Sequence, residues 1–277
     1  MREPVSIRTV GAVAFVALKH PPVNALSLAV RSALVDAFNS LRDEPSIRGI
    51  VLHGVGRCFS AGGDIHEFGT PAAIAAPGLS KHVHAAIEQC GKTTVAAIHG
   101  YALGGGLETA MTCHFRIAAG DARLGLPEAN VGAIPLSGTQ RLPRLIGVAP
   151  AIDMILSARQ TRAIEAPIGL VDGTTESERL MDVAAEWALK PAPPLVRDLP
   201  YPSYNIEDFA RTREAIAHGI YSALATHLLE AIEAGAGKSF DEGMCRARAI
   251  HDAVVNSPQG KAARSEFLLK RSSRKLQ

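Results

Sequence analysis

No single sign of charge dominates this chain. Twenty-nine lysines and arginines stand against 27 aspartates and glutamates in 277 residues, a formal net charge of +2. That balance gives no electrostatic reason to expect nucleic acid or a membrane surface as partner. The one dense basic run, KRSSRK, is confined to the end of the chain. Cysteine is sparse as well. Cys58, Cys90, Cys113 and Cys245 lie far apart, with no CxxC pair and no Cys/His ligand cluster, so no metal site is expected. Free, mostly buried thiols in a reducing compartment are expected instead. No run reaches the roughly 20 apolar residues that span a bilayer as a helix. The opening MREPVSIRTV lacks the apolar core of a signal peptide, and the closing RKLQ is not a peroxisomal address of the SKL type. The expectation is a soluble, cytoplasmic protein. Internal repeats and low-complexity tracts are also absent.

What is present is ample apolar material, 47% of the residues, enough for a sizeable core. Three short apolar runs bounded by turn residues read as strands: Gly11 to Leu18, Gly49 to Gly54 and Thr93 to Gly100. Between the first two, Val30, Leu34, Phe38 and Leu41 share one helical face behind Ser27 as N-cap. Strand, helix, strand at this spacing predicts an α/β fold. A further helix is expected from about Ala149 to Ser157. The stretch Lys190 to Tyr204 carries five prolines and reads as an extended connector. The domains expected are therefore a core over 1–190, a connector over 191–204 and a helical region over 205–277. In that region Ile206, Phe209, Ile216, Ile220, Leu224, Leu228 and Ile232 predict one long amphipathic face ending near Gly235. A second helix follows from Phe240 to Val255, and a third starts with Ser257 as N-cap and Pro258 at the first helical position.

Three glycine-bearing loops carry the chemistry. In GYALGGGLETAM, Gly100 to Met111, three glycines open a helix, although each is worth roughly 1 kcal/mol less than alanine there. Bare backbone at a helix start can aim amides at an anionic oxygen, or it can simply let helix pack closely on strand. The absence of a trailing GK[ST], and of GxGxxG, excludes the usual phosphate and dinucleotide loops. RCFSAGGDIHEF, Arg57 to Phe68, likewise places small residues at a strand end, where open α/β sheets bind ligands. Two such loops could together donate two N–H groups to one oxygen. Asp64 there reads as an ordinary loop or capping residue. The third segment, Ala122 to Gly147, holds Glu128 between Pro127 and an apolar stretch. Glu108 is similarly placed among Leu107, Ala110 and Met111. Either acid alone is a common surface or salt-bridged residue. As a pair in one site they could not both ionise easily, which would supply an acid and a base at one pH.

Taken together, PPVNALS, CFSAGGDI, AAIHGYALGGGLETAM and GLPEANVGAIPLSGTQRLPRLIG resemble the enoyl-CoA hydratase/isomerase (crotonase) superfamily over about residues 5 to 190. The resemblance implies a crotonase-like spiral of ββα units, assembled as a trimer or a dimer of trimers. It implies Glu108 and Glu128, 20 positions apart, as catalytic acids, and the backbone N–H groups of Gly63 and Gly105 as oxyanion hole. It implies substrate and coenzyme A contacts from Ser60, Ala61, Gly62, Asp64, Ile65 and Gly104. The reaction implied is hydration of a trans-2-enoyl-CoA in fatty-acid β-oxidation, with Δ3–Δ2 isomerisation as a side activity. No cofactor is implied beyond the coenzyme A of the substrate. The Pro-rich connector and helical tail are similar to the hydratase half of bifunctional enoyl-CoA hydratase/3-hydroxyacyl-CoA dehydrogenases. Relative to those, the sequence stops before any dinucleotide-binding glycines, so it reads as a piece of such an enzyme or as a stand-alone relative, without an NAD site. PLSGTQ is one residue shorter than the family's PGAGGTQ or PGARGTQ, and His66 stands where many relatives have a lysine facing the coenzyme A phosphates. Lys261, Arg264 and Lys270 remain as basic candidates for a phosphate, each also readable as part of a solvated face. Phe267 and Leu268 read as packing residues closing the acyl pocket. Two other readings stay open: another thioester reaction such as hydrolysis or decarboxylation, and a non-catalytic, RNA-binding or assembly role.

Overall fold

The three apolar runs of the first half become neighbouring strands of one sheet in the computed structural model, which describes residues 3–219 and 224–274. Nine strands occur among these residues: β1 Val5–Val10, β2 Val13–Leu18, β3 Gly49–Gly54, β4 Thr93–Ile98, β5 Tyr101–Leu103, β6 Phe115–Ala119, β7 Arg123–Gly125, β8 Gln160–Arg162 and β9 Gly173–Thr175. Six form a sheet in the order β1-β2-β3-β4-β6-β9, and β5-β7-β8 form a smaller one. In the large sheet the β1–β2 hairpin is antiparallel, and from β2 onward each pair runs parallel. Parallel strands need both faces covered, which explains why β2, β3 and β4 read as continuous apolar runs. On one face Phe15, Val51, Val95 and Ile117 pack against Leu180, Ala184 and Ala188 of the helix Leu180–Ala188. The helix Leu28–Arg42 buries Val30, Leu34, Phe38 and Leu41 as its periodicity predicts, and the Ser27 hydroxyl accepts from the Val30 N–H at 3.4 Å. The mixed α/β class with a C-terminal helical region is thus present.

The chain divides into two units, residues 1–124 with 161–198, and residues 125–160 with 199–277. The tail, residues 199–277, thus shares its unit with the earlier segment 125–160. Within the second unit the helix Gly138–Ile146 presents polar side chains to the tail. The Gln140 side-chain amide donates to Ala231 O at 2.7 Å, and its oxygen fills space that a Cβ on Gly235 or Gly243 would need. Arg144 donates to the carbonyls of Gln140, Leu199 and Lys238 and lies over the rings of Tyr201 and Phe240. Apolar periodicity does not report such contacts.

The single long helix expected from Ile206 is two helices, Ile206–Ala217 and Ala225–Glu233. Gly219, at φ +73°, donates to Ile216 O and ends the first in the manner of a left-handed cap. Ile220 lies outside the described residues, and Ile206 is exposed rather than on a buried face. The next helix, Phe240–Asn256, opens with a reciprocal Ser239/Glu242 capping box. Ser257 then caps the helix Pro258–Arg274, its hydroxyl accepting from the Gly260 N–H at 2.9 Å. Cys58, Cys90 and Cys113 are buried and Cys245 is exposed, all as free thiols; burial pushes the Cys113 thiol up to about 12. Among the described residues no helix is long and apolar enough to cross a membrane.

One ion pair, buried on its arginine side, ties β6 to the chain ahead of β9. The Arg116 guanidinium meets Asp172 at 2.6 Å and donates to the carbonyls of Leu170 and Cys113. Removing one partner would strand a charge in a poorly solvated place. Asp172→Asn is expected to destabilise the fold by about 3 kcal/mol, and the double change Arg116→Met with Asp172→Leu by clearly less. Urea unfolding midpoints of the two variants check this, and equal losses would contradict it.

Candidate active site

The loop after β3 and the turn after β4 are stitched together within the first unit. Phe59 N–H donates to His99 O at 2.9 Å, Ser60 N–H to Tyr101 O at 3.2 Å, and Leu103 N–H to Ser60 O at 3.0 Å. This short ladder carries Gly62 against the start of the helix Gly105–Ala110. Gly62 sits at φ +90°, and a Cβ there would lie 2.6 Å from Leu103 O and 3.0 Å from Gly105 N. Gly104, at φ +52°, turns the chain into the helix. A Cβ on Gly105 would lie 3.4 Å from Gly63 N and 2.8 Å from the tip of Leu79. The N–H groups of Gly63 and Gly105 therefore border the same small space, with Leu79 and Phe68 beside it. Neither donates to a protein acceptor among the described residues. Two such donors can stabilise one oxygen on which charge develops.

The other loop residues divide by role. Ser60 is fully buried; its hydroxyl donates to Asn24 O at 2.7 Å and accepts from the Gly62 N–H at 3.1 Å. Its side chain thus shapes the loop. Ala61 N–H donates to Val23 O, and Asp64 accepts from the His66 N–H at 2.9 Å in a local turn. Ile65 is half-buried and His66 exposed. Glu67 accepts from the Leu28 N–H and from Arg31, which pins the far end of the loop to the helix Leu28–Arg42.

Glu108 lies three residues beyond Gly105 on the same short helix, buried between the fully buried Leu107 and Thr109. Carboxyl groups are rarely placed so deep without a use or a partner. The sequence reading missed the groups that hold this turn from behind. Buried His84 places Nε2 3.2 Å from the Thr109 hydroxyl, which donates to Gly105 O at 2.7 Å. Thr109 was discoverable, since a helical threonine often bonds back to the carbonyl four residues earlier. His84 and Leu79, which follow one another through a π-type turn into a helix, carried no such local signal.

Glu128 belongs to the second unit, where it opens a 3-10 turn, Glu128–Val131, and is half-buried. The turn closes at Gly132, φ +65°, and Ala133 N–H donates back to Glu128 O at 3.0 Å. The shortened PLSGTQ stretch runs directly into the helix Gly138–Ile146: Thr139 N–H donates to Pro135 O and the Thr139 hydroxyl to Leu136 O. Gly138 sits close under Leu126 and Pro135. Of the basic tail candidates, Lys261 is exposed, Arg264 is engaged with backbone carbonyls, and the side chain of Lys270 lies outside the described residues. Phe267 is half-buried and Leu268 exposed.

Comparison with known proteins gives a consistent picture. A family model described as enoyl-CoA hydratase/isomerase matches residues 8–196. A peroxisomal bifunctional enzyme of Danio rerio is 37% identical over 281 residues, covering 95% of this chain but 37% of the relative. The chain therefore spans little more than a third of that relative's length. A probable enoyl-CoA hydratase of Bacillus subtilis is 42% identical over 189 residues, covering 64% of this chain and 73% of the relative. Among solved structures, an enoyl-CoA hydratase/isomerase from Pseudoalteromonas atlantica superposes with a TM-score of 0.72 over 96% of this chain and 97% of that one; at 23% identity this likeness concerns the fold.

The geometry separates two glycine substitutions. Gly105→Ala would push its methyl between the two amides and against a movable leucine tip, so the melting temperature is expected to stay within about 3 °C. A reaction that builds charge on an oxygen at that point is expected to slow about 100- to 1,000-fold. Gly62→Ala meets fixed backbone at positive φ and is expected to lower the melting temperature markedly. Thermal melts alongside single-turnover rates distinguish the two.

Proposed function

The chain belongs to the enoyl-CoA hydratase/isomerase family, and we propose that it adds water across the 2,3 double bond of a trans-2-enoyl-CoA as a step of fatty-acid β-oxidation. The observation that carries this reading is the pair of N–H groups on Gly63 and Gly105 bordering one space, with the Glu108 carboxyl on the same short helix. The thioester carbonyl oxygen accepts from both amides, which draws electron density away from C3. Glu108 takes a proton from water as the water oxygen bonds to C3. The electron pair of the double bond moves toward the thioester oxygen, and Glu128 delivers a proton to C2. Exchange with solvent returns both carboxyl groups to their starting states. Two acids with opposite duties in one reaction need opposite protonation states at one pH. No redox or metal chemistry enters this balance, and coenzyme A enters only as part of the substrate.

The enolate-like oxygen is stabilised by neutral dipoles, and losing one such donor costs about 3 kcal/mol of barrier. We further propose that the protein works in the cytoplasm as a homotrimer or dimer of trimers. Four free thiols fit a reducing compartment. Isomerisation of a 3-enoyl-CoA would use the same amides and a single acid moving a proton between C2 and C4.

The test is direct. Purified protein mixed with crotonyl-CoA or longer enoyl-CoA esters is expected to remove the ultraviolet absorbance of the conjugated thioester without releasing free thiol. Glu128→Gln is expected to lower kcat by at least about 100-fold with a smaller change in KM. Thiol release with either substrate would indicate hydrolysis, and unchanged absorbance at all chain lengths would end the hydratase reading.

A further inference from the structure

The turn that carries Glu128 is short and ends in a glycine, so its position must be held by something other than its own hydrogen bonds. Within the second unit, that support comes from the last helix. Gly132 and Gly260 meet backbone to backbone. A Cβ on Gly132 would lie 2.3 Å from Gly260 O and 3.0 Å from the Ala263 Cβ, and a Cβ on Gly260 would lie 3.0 Å from Gly132 O. Residues 260, 263 and 264 share one helical face, so two small residues admit the turn and the long third one reaches around it. The Arg264 guanidinium donates through Nη1 to Gly132 O at 3.1 Å and through Nη2 to Val255 O. Both acceptors stand at helix ends. Gly132 caps the 3-10 turn Glu128–Val131, and Val255 is in the last turn of the helix Phe240–Asn256. Carbonyls at such ends lack partners within their own helices, and a cation there also opposes the negative end of the dipole.

We propose that Arg264 is a positioning residue for Glu128: its planar fork clamps the turn bearing that acid to the end of the preceding helix, which makes the C-terminal helical region part of the catalytic apparatus. This rests on the hydratase reading in so far as Glu128 is the acid at C2. Arg264 touches no reacting atom in this role. It restricts the rotation of the Glu128–Gly132 turn, and a displacement of about 1 Å at a reacting group lowers a rate by on the order of 100-fold. Lysine is a poor substitute, since a single ammonium cannot present two coplanar donors to two separate carbonyls.

The experiment compares the full chain with Arg264→Ala and Arg264→Lys, in two arms. Hydrogen exchange followed by mass spectrometry is expected to show at least about tenfold faster exchange for amides 129–134 in Arg264→Ala, with the protection of β2, β3 and β4 unchanged. Steady-state hydration of crotonyl-CoA, per mole of folded protein, is expected to show kcat down about 10- to 100-fold with KM within about twofold. Arg264→Lys should fall between, and added methylguanidinium should restore part of the Arg264→Ala rate. Unchanged exchange at 129–134 would overturn the clamp. Faster exchange with unchanged kcat, or a lowered kcat with neither a KM split nor rescue, would overturn the positioning role. A wild-type protein without hydration would end the hydratase reading, and the exchange arm would then decide whether Arg264 holds the turn.

Discussion

The close approach of two backbones, Gly62 on one loop and Leu103 to Gly105 on the other, is the constraint on which the first unit's site depends. Hydrogen bonds between Phe59 and Ser60 on one side and His99, Tyr101 and Leu103 on the other set the approach. It succeeds only because no side chain intervenes at residues 62 and 105. Each such bond contributes about 1 kcal/mol net, so the ladder's value is geometric more than energetic. It fixes two N–H vectors relative to each other before any ligand arrives. Preorganised donors need no rearrangement when charge appears, which distinguishes them from water.

Much of this was legible in the residues. The three central strands, the capped helix behind Ser27 and the glycine loops follow from local patterns: apolar runs of six to eight, a period near 3.6, glycine clusters at strand ends. Glu108 stood out because a charge was set among residues that pattern as buried. The packing of the tail on residues 125–160 within the second unit was not legible. It rests on Gln140 and Arg144, polar residues whose burial depends on carbonyls and rings 55 to 96 positions away. No window of sequence contains both partners. The break at Gly219 was missed for the opposite reason: the apolar period continues in register across it, and one glycine in a left-handed conformation outweighed seven periodic positions.

The second unit shows why a polar tail can still be a packed one. Arg144 is largely buried, and burial lowers its pKa, yet its donors meet three carbonyls and its plane meets two aromatic rings. Guanidinium is weakly hydrated and planar, so it accepts such surroundings where an ammonium would not. Arg264 repeats the solution at a second place, with two carbonyls for acceptors. In both cases the cation reaches carbonyls of two other segments, so each arginine joins segments that have no common periodic face.

In the proposed hydration, the choice of amides over cations at Gly63 and Gly105 follows from the same accounting of charge. A lysine placed there would bind a thioester oxygen before and during reaction alike, and it would attract any anion in the meantime. It would also have to shed its own hydration, a penalty of several kcal/mol in a closed site. Two peptide N–H groups carry no net charge and bind a neutral carbonyl weakly. Their interaction grows as the oxygen becomes negative, so the stabilisation falls on the transition state. Shaping such a pair requires bare backbone on two strand-end loops at once. On the proposed function, that is the physical reason for spending glycine at the start of a helix, where propensity alone would have selected alanine.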